Sequence, residues 1–62
     1  MLKELRRKNG VTQQQVADAC DVTRATIAMI ESGRNQPSVK LAKRIALYFG
    51  VDWTIFFNRD VN

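Results

Sequence analysis

The side chains able to do chemistry in this 62-residue chain are mostly cations and neutral hydrogen-bond donors. Ten Lys and Arg stand against six Asp and Glu, giving a net charge of +4 with no histidine. A pI near 9.9 favours a polyanionic partner. On composition alone, ordinary solubility accounts for the same charge equally well. Catalysis has little to draw on: there is no histidine, no glycine-rich phosphate loop, and the acids are scattered or sit where caps and one ion pair are expected. Cys20 is the single cysteine, so no internal disulfide can form and a zinc site lacks its usual ligands. It reads as a small core residue rather than a redox group. The expectation is therefore a binding protein and not an enzyme, with no cofactor, no metal and no small-molecule substrate.

Helices must position whatever these cations bind. Between Thr12 and Glu31 the apolar residues fall where two short helices cross at a tight turn. Val16, Ala17 and Cys20 share one face by their i, i+1, i+4 spacing, which turns Gln13, Gln14 and Asp18 outward. Ile27 and Ile30 mark the inner face of the second helix. Thr12 and Gln15 have the spacing of a capping box, and Thr23 can cap the next helix. The small Ala17 permits close approach of a crossing backbone. This pattern over residues 12–32 reads as a helix-turn-helix.

Gly10, Gly33 and Gly50 each fall where a helix should stop, and Thr12, Thr23, Ser38 and Asp52 can open the helices that follow. Pro37 separates the third helix from the fourth. The spacing predicts helices over about 2–9, 12–20, 23–32, 38–49 and 52–57. No segment alternates with period two, and there is no internal repeat. The expected fold is all-α, a compact five-helix domain in which residues 1–62 form a single unit. Its core is expected to draw on Leu2, Leu5, Val11, Val16, Ala17, Cys20, Val22, Ile27, Ile30, Val39, Ala42, Ile45, Ala46, Phe49, Val51 and Phe56. With 45% hydrophobic residues the chain is not disordered, yet no apolar run approaches the roughly 20 residues that span a bilayer. The segment MLKELRRKNG lacks the apolar stretch of a secretion signal, so a cytoplasmic location is expected.

From Thr12 to Ser38 the sequence resembles the helix-turn-helix of the lambda Cro and phage 434 repressor family, the XRE family. The carriers are the segments TQxxVA, VTRxTIxxIExG and NxPS. They stand here as Thr12, Gln13, Val16 and Ala17, then Val22, Thr23, Arg24, Thr26, Ile27, Ile30, Glu31 and Gly33, then Asn35, Pro37 and Ser38. The match continues through Leu41 to Val51. One departure is Asp21, where the family usually has Gly at a turn position of positive φ. Asp tolerates that region better than most residues, so the turn is expected intact with slight strain. The resemblance also implies an ion pair between Arg6 and Glu31, against the plainer alternative of two solvated charges.

The resemblance implies a lambda repressor-like fold that binds the major groove of double-stranded DNA. At 100° per residue, Ala25, Ala28, Met29 and Ser32 centre on the face opposite Ile27 and Ile30, with Arg24 and Thr26 on its flanks. Base contacts map to Arg24, Ala25, Ala28 and Met29. The Arg24 guanidinium can donate two hydrogen bonds to O6 and N7 of guanine, or instead hold a phosphate. Ala25, Ala28 and Met29 can pack on thymine methyl groups, and Met29 can alternatively stay exposed or face a second copy. With so few polar readers, DNA shape is expected to supply part of the specificity. Candidate phosphate contacts are Gln13, Thr23, Thr26, Arg34, Asn35 and Gln36. Lys3, Arg7, Lys8, Lys40, Lys43 and Arg44 fit a solvated face better, and Arg59 in the tail is unassigned.

One recognition helix reads few base pairs, and a small module buries roughly 600 to 1,000 Å² on DNA, which seldom suffices for specific binding. A homodimer on a palindromic site is therefore expected. Leu47, Trp53, Ile55 and Phe57 are its candidate interface, with residues 52–62 as the contacting segment, because so short a helix cannot bury them all. The leading function is a sequence-specific transcriptional repressor associated with the nucleoid. The alternative is an antitoxin or partner-binding adaptor that uses the same fold with DNA contact secondary.

Overall fold

The computed structural model describes residues 1–57. Four α-helices follow in order, α1 Leu2–Lys8, α2 Gln13–Cys20, α3 Arg24–Glu31 and α4 Val39–Phe49, and a short 3₁₀ helix closes the order at Trp53–Phe56. The described residues are all-helical, without a strand.

Every helix after α1 begins where a side chain satisfies orphan N–H groups. Thr12 and Gln15 form a reciprocal capping box, with Gln15 N–H donating to Thr12 Oγ1 at 3.0 Å and Thr12 N–H donating to Gln15 Oε1 at 2.8 Å. The Thr26 and Leu41 N–H groups donate to Thr23 Oγ1 at 3.2 Å and Ser38 Oγ at 3.1 Å. Helix ends follow one scheme as well. In α3, Arg34 N–H reaches the Met29 carbonyl and Gly33 N–H the Ile30 carbonyl, the paired bonds of a Schellman cap. The turn between α2 and α3 has the same pair, Val22 to Ala17 and Asp21 to Asp18, with Asp21 in the left-handed region at φ 59°. Asp21 thus does at this turn what Gly33, at φ 81°, does after α3.

Packing follows from the apolar faces these ends create. Leu2, Val16, Ala17, Cys20, Ile27, Ala42, Ile45 and Ala46 are buried, and Val11, Val22, Ile30, Leu41, Phe49 and Phe56 pack around them. Ala17, fully buried, lets α2 pack against both α3 and α4. Val39, expected in the core, is 50% exposed. It is the first residue of α4 and lies at the edge of the buried face, where no earlier turn continues the contact. Leu41 takes part instead. The expected fifth α-helix is a 3₁₀ helix because Asp52 Oδ1 accepts from both the N–H and the hydroxyl of Thr54, while Ile55 and Phe57 close i+3 bonds. Residues 58–62, with Arg59 and the end of the expected 52–62 contact, lie outside the described residues.

Candidate nucleic-acid interface

Because α3 buries Ile27 and half-buries Ile30, its opposite side must face solvent. Ala25, Met29 and Ser32 are exposed there, while Ala28 turns to the flank and is half-buried. Arg24 opens the helix as an exposed cation on the side toward α2. The outward face therefore carries one guanidinium, a methyl, a thioether and the Ser32 hydroxyl, which already donates to the Met29 carbonyl, a surface that can enter a groove without leaving many polar groups unpaired.

Behind it lies a chain of charged and amide groups. Glu31, at the end of α3, has only 4% of its side chain exposed and accepts a forked pair of bonds from Arg6, Nε to Oε2 at 2.7 Å and Nη2 to Oε1 at 3.2 Å. Arg6 also donates to the Val11 carbonyl at 3.2 Å, which ties α1 to the start of α2. Burial, the largest single influence, pushes the Glu31 carboxyl up. Hydrogen bonds from Arg6 and Gln13, with the charges of Arg6 and Lys3, outweigh it and hold the carboxyl below its ordinary value. The Arg6 guanidinium is raised, chiefly by its bond to Glu31.

Gln13, placed in the sequence among phosphate contacts, has a further role. Its Nε2 donates to Glu31 Oε1 at 3.0 Å, and its Oε1 accepts from Arg24 Nη1 at 3.3 Å. The part-buried ion pair is thereby linked through one amide to the exposed Arg24. Around α3 stand further donors. Thr23 and Thr26 share a hydrogen bond of 3.0 Å between hydroxyls at the start of the helix. After its end, Arg34, Asn35 and Gln36 are exposed, and the N–H groups of Arg34 and Asn35 both converge on the Met29 carbonyl, which shapes the loop. The predicted base and phosphate candidates therefore surround one helix.

Of the four residues expected to share a dimer contact, Ile55 stands apart from the other three. Ile55 lines an open groove with Leu2, Ile30, Pro37 and Phe56, beside the loop after α3. Trp53 and Phe57 stack edge to face at 6.0 Å between ring centroids. Leu47 points outward from α4 and is 85% exposed. Arg44, expected as solvated charge, donates to the Cys20 carbonyl at 3.2 Å and so caps the C-terminus of α2. No local spacing announces that bond, which spans 24 positions and depends on how α4 crosses α2. Burial pushes the Cys20 thiol up against a weaker opposing pull from Arg44, so its thiolate is disfavoured. No group of acids and Cys that could hold a metal occurs among the described residues, and no helix there is long and apolar enough to cross a membrane.

A family model described as helix-turn-helix matches residues 2–56. The chain is 48% identical over 61 residues to the uncharacterized HTH-type transcriptional regulator YqaF of Bacillus subtilis strain 168, covering 98% of this chain and 80% of that one. It is 46% identical over 50 residues to the uncharacterized HTH-type transcriptional regulator MJ0272 of Methanocaldococcus jannaschii, covering 81% and 76%. It is also 31% identical over 55 residues to the ImmF control region 10 kDa protein of Bacillus phage phi105, covering 89% and 61%. No solved structure matches significantly.

Proposed function

The chain belongs to the helix-turn-helix family, and from that premise we propose that it is a DNA-binding transcriptional regulator that represses by occupying a palindromic operator as a homodimer. One observation carries the reading. The outward face of α3 presents Arg24, Ala25 and Met29, with hydrogen-bond donors at both ends of the helix. Arg24 donates to guanine, while Ala25 and Met29, with Ala28 at the flank, pack on thymine methyl groups. Gln13, Thr23, Thr26 and the Arg34, Asn35, Gln36 loop hold phosphates and fix the register of α3 in the major groove. Relatives named as transcriptional regulators support the regulatory role, and one named for a phage control region favours action at control DNA.

Dimerisation uses the groove beside Ile55, which adjoins the loop after α3. A contact there couples the two recognition helices and spaces them about 34 Å apart, one helical turn of DNA. All 62 residues act as a single cytoplasmic, nucleoid-associated domain.

Selection of bound sequences from a random DNA pool, followed by titration of the winner against salt, tests this. The expected result is an enriched palindrome with guanine in each half-site and log K falling by about 0.9 per phosphate contacted for each decade of salt. Arg24→Ala should then lose about 1–3 kcal/mol and relax the base preference at the guanine. Weak binding with no enriched sequence overturns the operator reading and leaves the partner-binding adaptor.

A further inference from the structure

We propose that the outward face of α4 docks an acidic, amphipathic helix of a second protein. Positions 40, 43 and 47 follow the i, i+3, i+7 spacing of one helical stripe, so Lys40, Lys43 and Leu47 share a side, while Arg44 at its flank turns to the Cys20 carbonyl of α2. At 100° per residue Leu47 lies opposite the direction of Ala42, Ile45 and Phe49, in the middle of that stripe rather than at the margin of the core. Its 85% exposure agrees. Tyr48 is exposed beside it, and Lys43 Nζ sits 5.2 Å from the centroid of the Trp53 ring, which brings a half-buried indole to the same surface.

Charge chooses among the occupants. From Ser32 to Val51 the chain carries Arg34, Lys40, Lys43 and Arg44 and no acidic residue. A second copy seated here by two-fold symmetry would set Lys40 and Lys43 against their own counterparts, with only Asp52 near, its carboxylate already accepting from Thr54. A phosphate backbone would pair the cations but gain nothing from a leucine at their centre. A helix with a leucine seam flanked by glutamates answers both features, its leucines meeting the exposed Leu47 and the indole beside Lys43 and its glutamates the two lysines. The inference does not rest on the operator reading, whose base contacts lie on α3.

Two synthetic peptides of about 16 residues test it, each with leucines at i, i+3, i+4 and i+7 and either glutamates or lysines elsewhere. Each is titrated into the isotope-labelled full chain and followed by amide and indole chemical shifts. The glutamate peptide should bind saturably, weaken with salt and shift Lys43, Leu47 and Trp53. Leu47→Glu should weaken it at least about tenfold while leaving the fold unchanged, since the side chain is 85% exposed and lies outside the core. Lys40→Glu with Lys43→Glu should transfer the preference to the lysine peptide. Absence of saturable binding at about 1 mM, equal binding of both peptides, or shifts centred on α3 overturn the proposal. So does self-association of the native chain that Leu47→Glu abolishes, which assigns the face to a second copy.

Discussion

Gln13 and Arg24, eleven positions apart, are joined by a hydrogen bond of 3.3 Å from the guanidinium to the amide oxygen. The amide cannot turn freely, because its nitrogen donates to the buried Glu31 carboxylate, which can only accept. The side chain proposed to read a base is thus held by the ion pair that fastens α1 to α3. Gln13→Ala should release Arg24 and reduce affinity for the selected site by about five- to tenfold, the value of one lost hydrogen bond. Discrimination at the guanine should narrow with it. Titrations of both proteins on matched and guanine-substituted sites measure this, and unchanged discrimination would show that Arg24 needs no support from α2.

Glu31 is the hinge of that arrangement. Removing it strands the Arg6 guanidinium, whose side chain is 16% exposed, and leaves the Gln13 amide without its acceptor. Glu31→Ala should cost about 2 kcal/mol, below the range for a fully buried pair because this one is part-buried and Arg6 keeps the Val11 carbonyl. For a chain this small that is a large part of the total stability. Urea unfolding checks it, and a loss under about 0.5 kcal/mol would place the pair among ordinary surface contacts.

The same carboxyl sets part of the acid response. Its native pKa lies below 4.5, so the charged form stabilises the fold at higher pH, and that contribution is lost as pH falls from 4.5 through the lower native value. Asp52, lowered by the backbone N–H and then the hydroxyl of Thr54, adds in the same direction. Glu31→Gln should be less stable than native at neutral pH, with the difference shrinking as the solution is acidified below pH 4.5. Urea midpoints at several pH values measure it, and a constant difference would exclude Glu31 as the titrating group.

At the turn between α2 and α3, Asp21 holds φ 59° and ψ 44° and places a negative charge at the C-terminus of α2. Both are unfavourable, the first by side-chain sterics and the second by the helix dipole. Asp21→Gly should stabilise the protein by about 0.5–1 kcal/mol and raise Tm by about 2–8 °C, with DNA specificity retained. A fall in Tm would show that the aspartate is favourable where it stands.

That turn also marks how far the sequence could be read. Caps, the positive-φ positions and all eight buried hydrophobic residues follow from local spacing, since each is a contact within one turn or a face of fixed period. Val39 and Leu41 exchanged roles because the apolar run that opens α4 admits more than one inner face, and only the crossing with α2 selects between them. Arg44 on the Cys20 carbonyl and Gln13 between Glu31 and Arg24 are tertiary contacts with no sequence period. The WTIF run reads as one apolar patch, yet three residues per turn sends Trp53 toward Lys43 and Ile55 into the groove.

That division makes the dimer contact separable. Ile55, with Leu2, Ile30, Pro37 and Phe56, lines a groove of about 610 Å³ next to the Arg34, Asn35, Gln36 loop. A second copy seated there would fix the distance between the readers of the two α3 helices. Ile55→Glu places a carboxylate on the apolar wall of this open groove, whose other side carries Arg34, Asn35 and Gln36, so its cost falls on association more than on the fold. On a palindromic operator its affinity should drop at least about tenfold toward that of one half-site, while binding to an isolated half-site stays as in the native chain. Sedimentation should show the loss of dimer in parallel. Leu47→Glu is the control, since it alters an equally apolar position on the other surface and should leave the dimer intact. If Leu47→Glu dissociates the dimer and Ile55→Glu does not, the copies meet through α4, and both the groove contact and the acidic partner at α4 are excluded together.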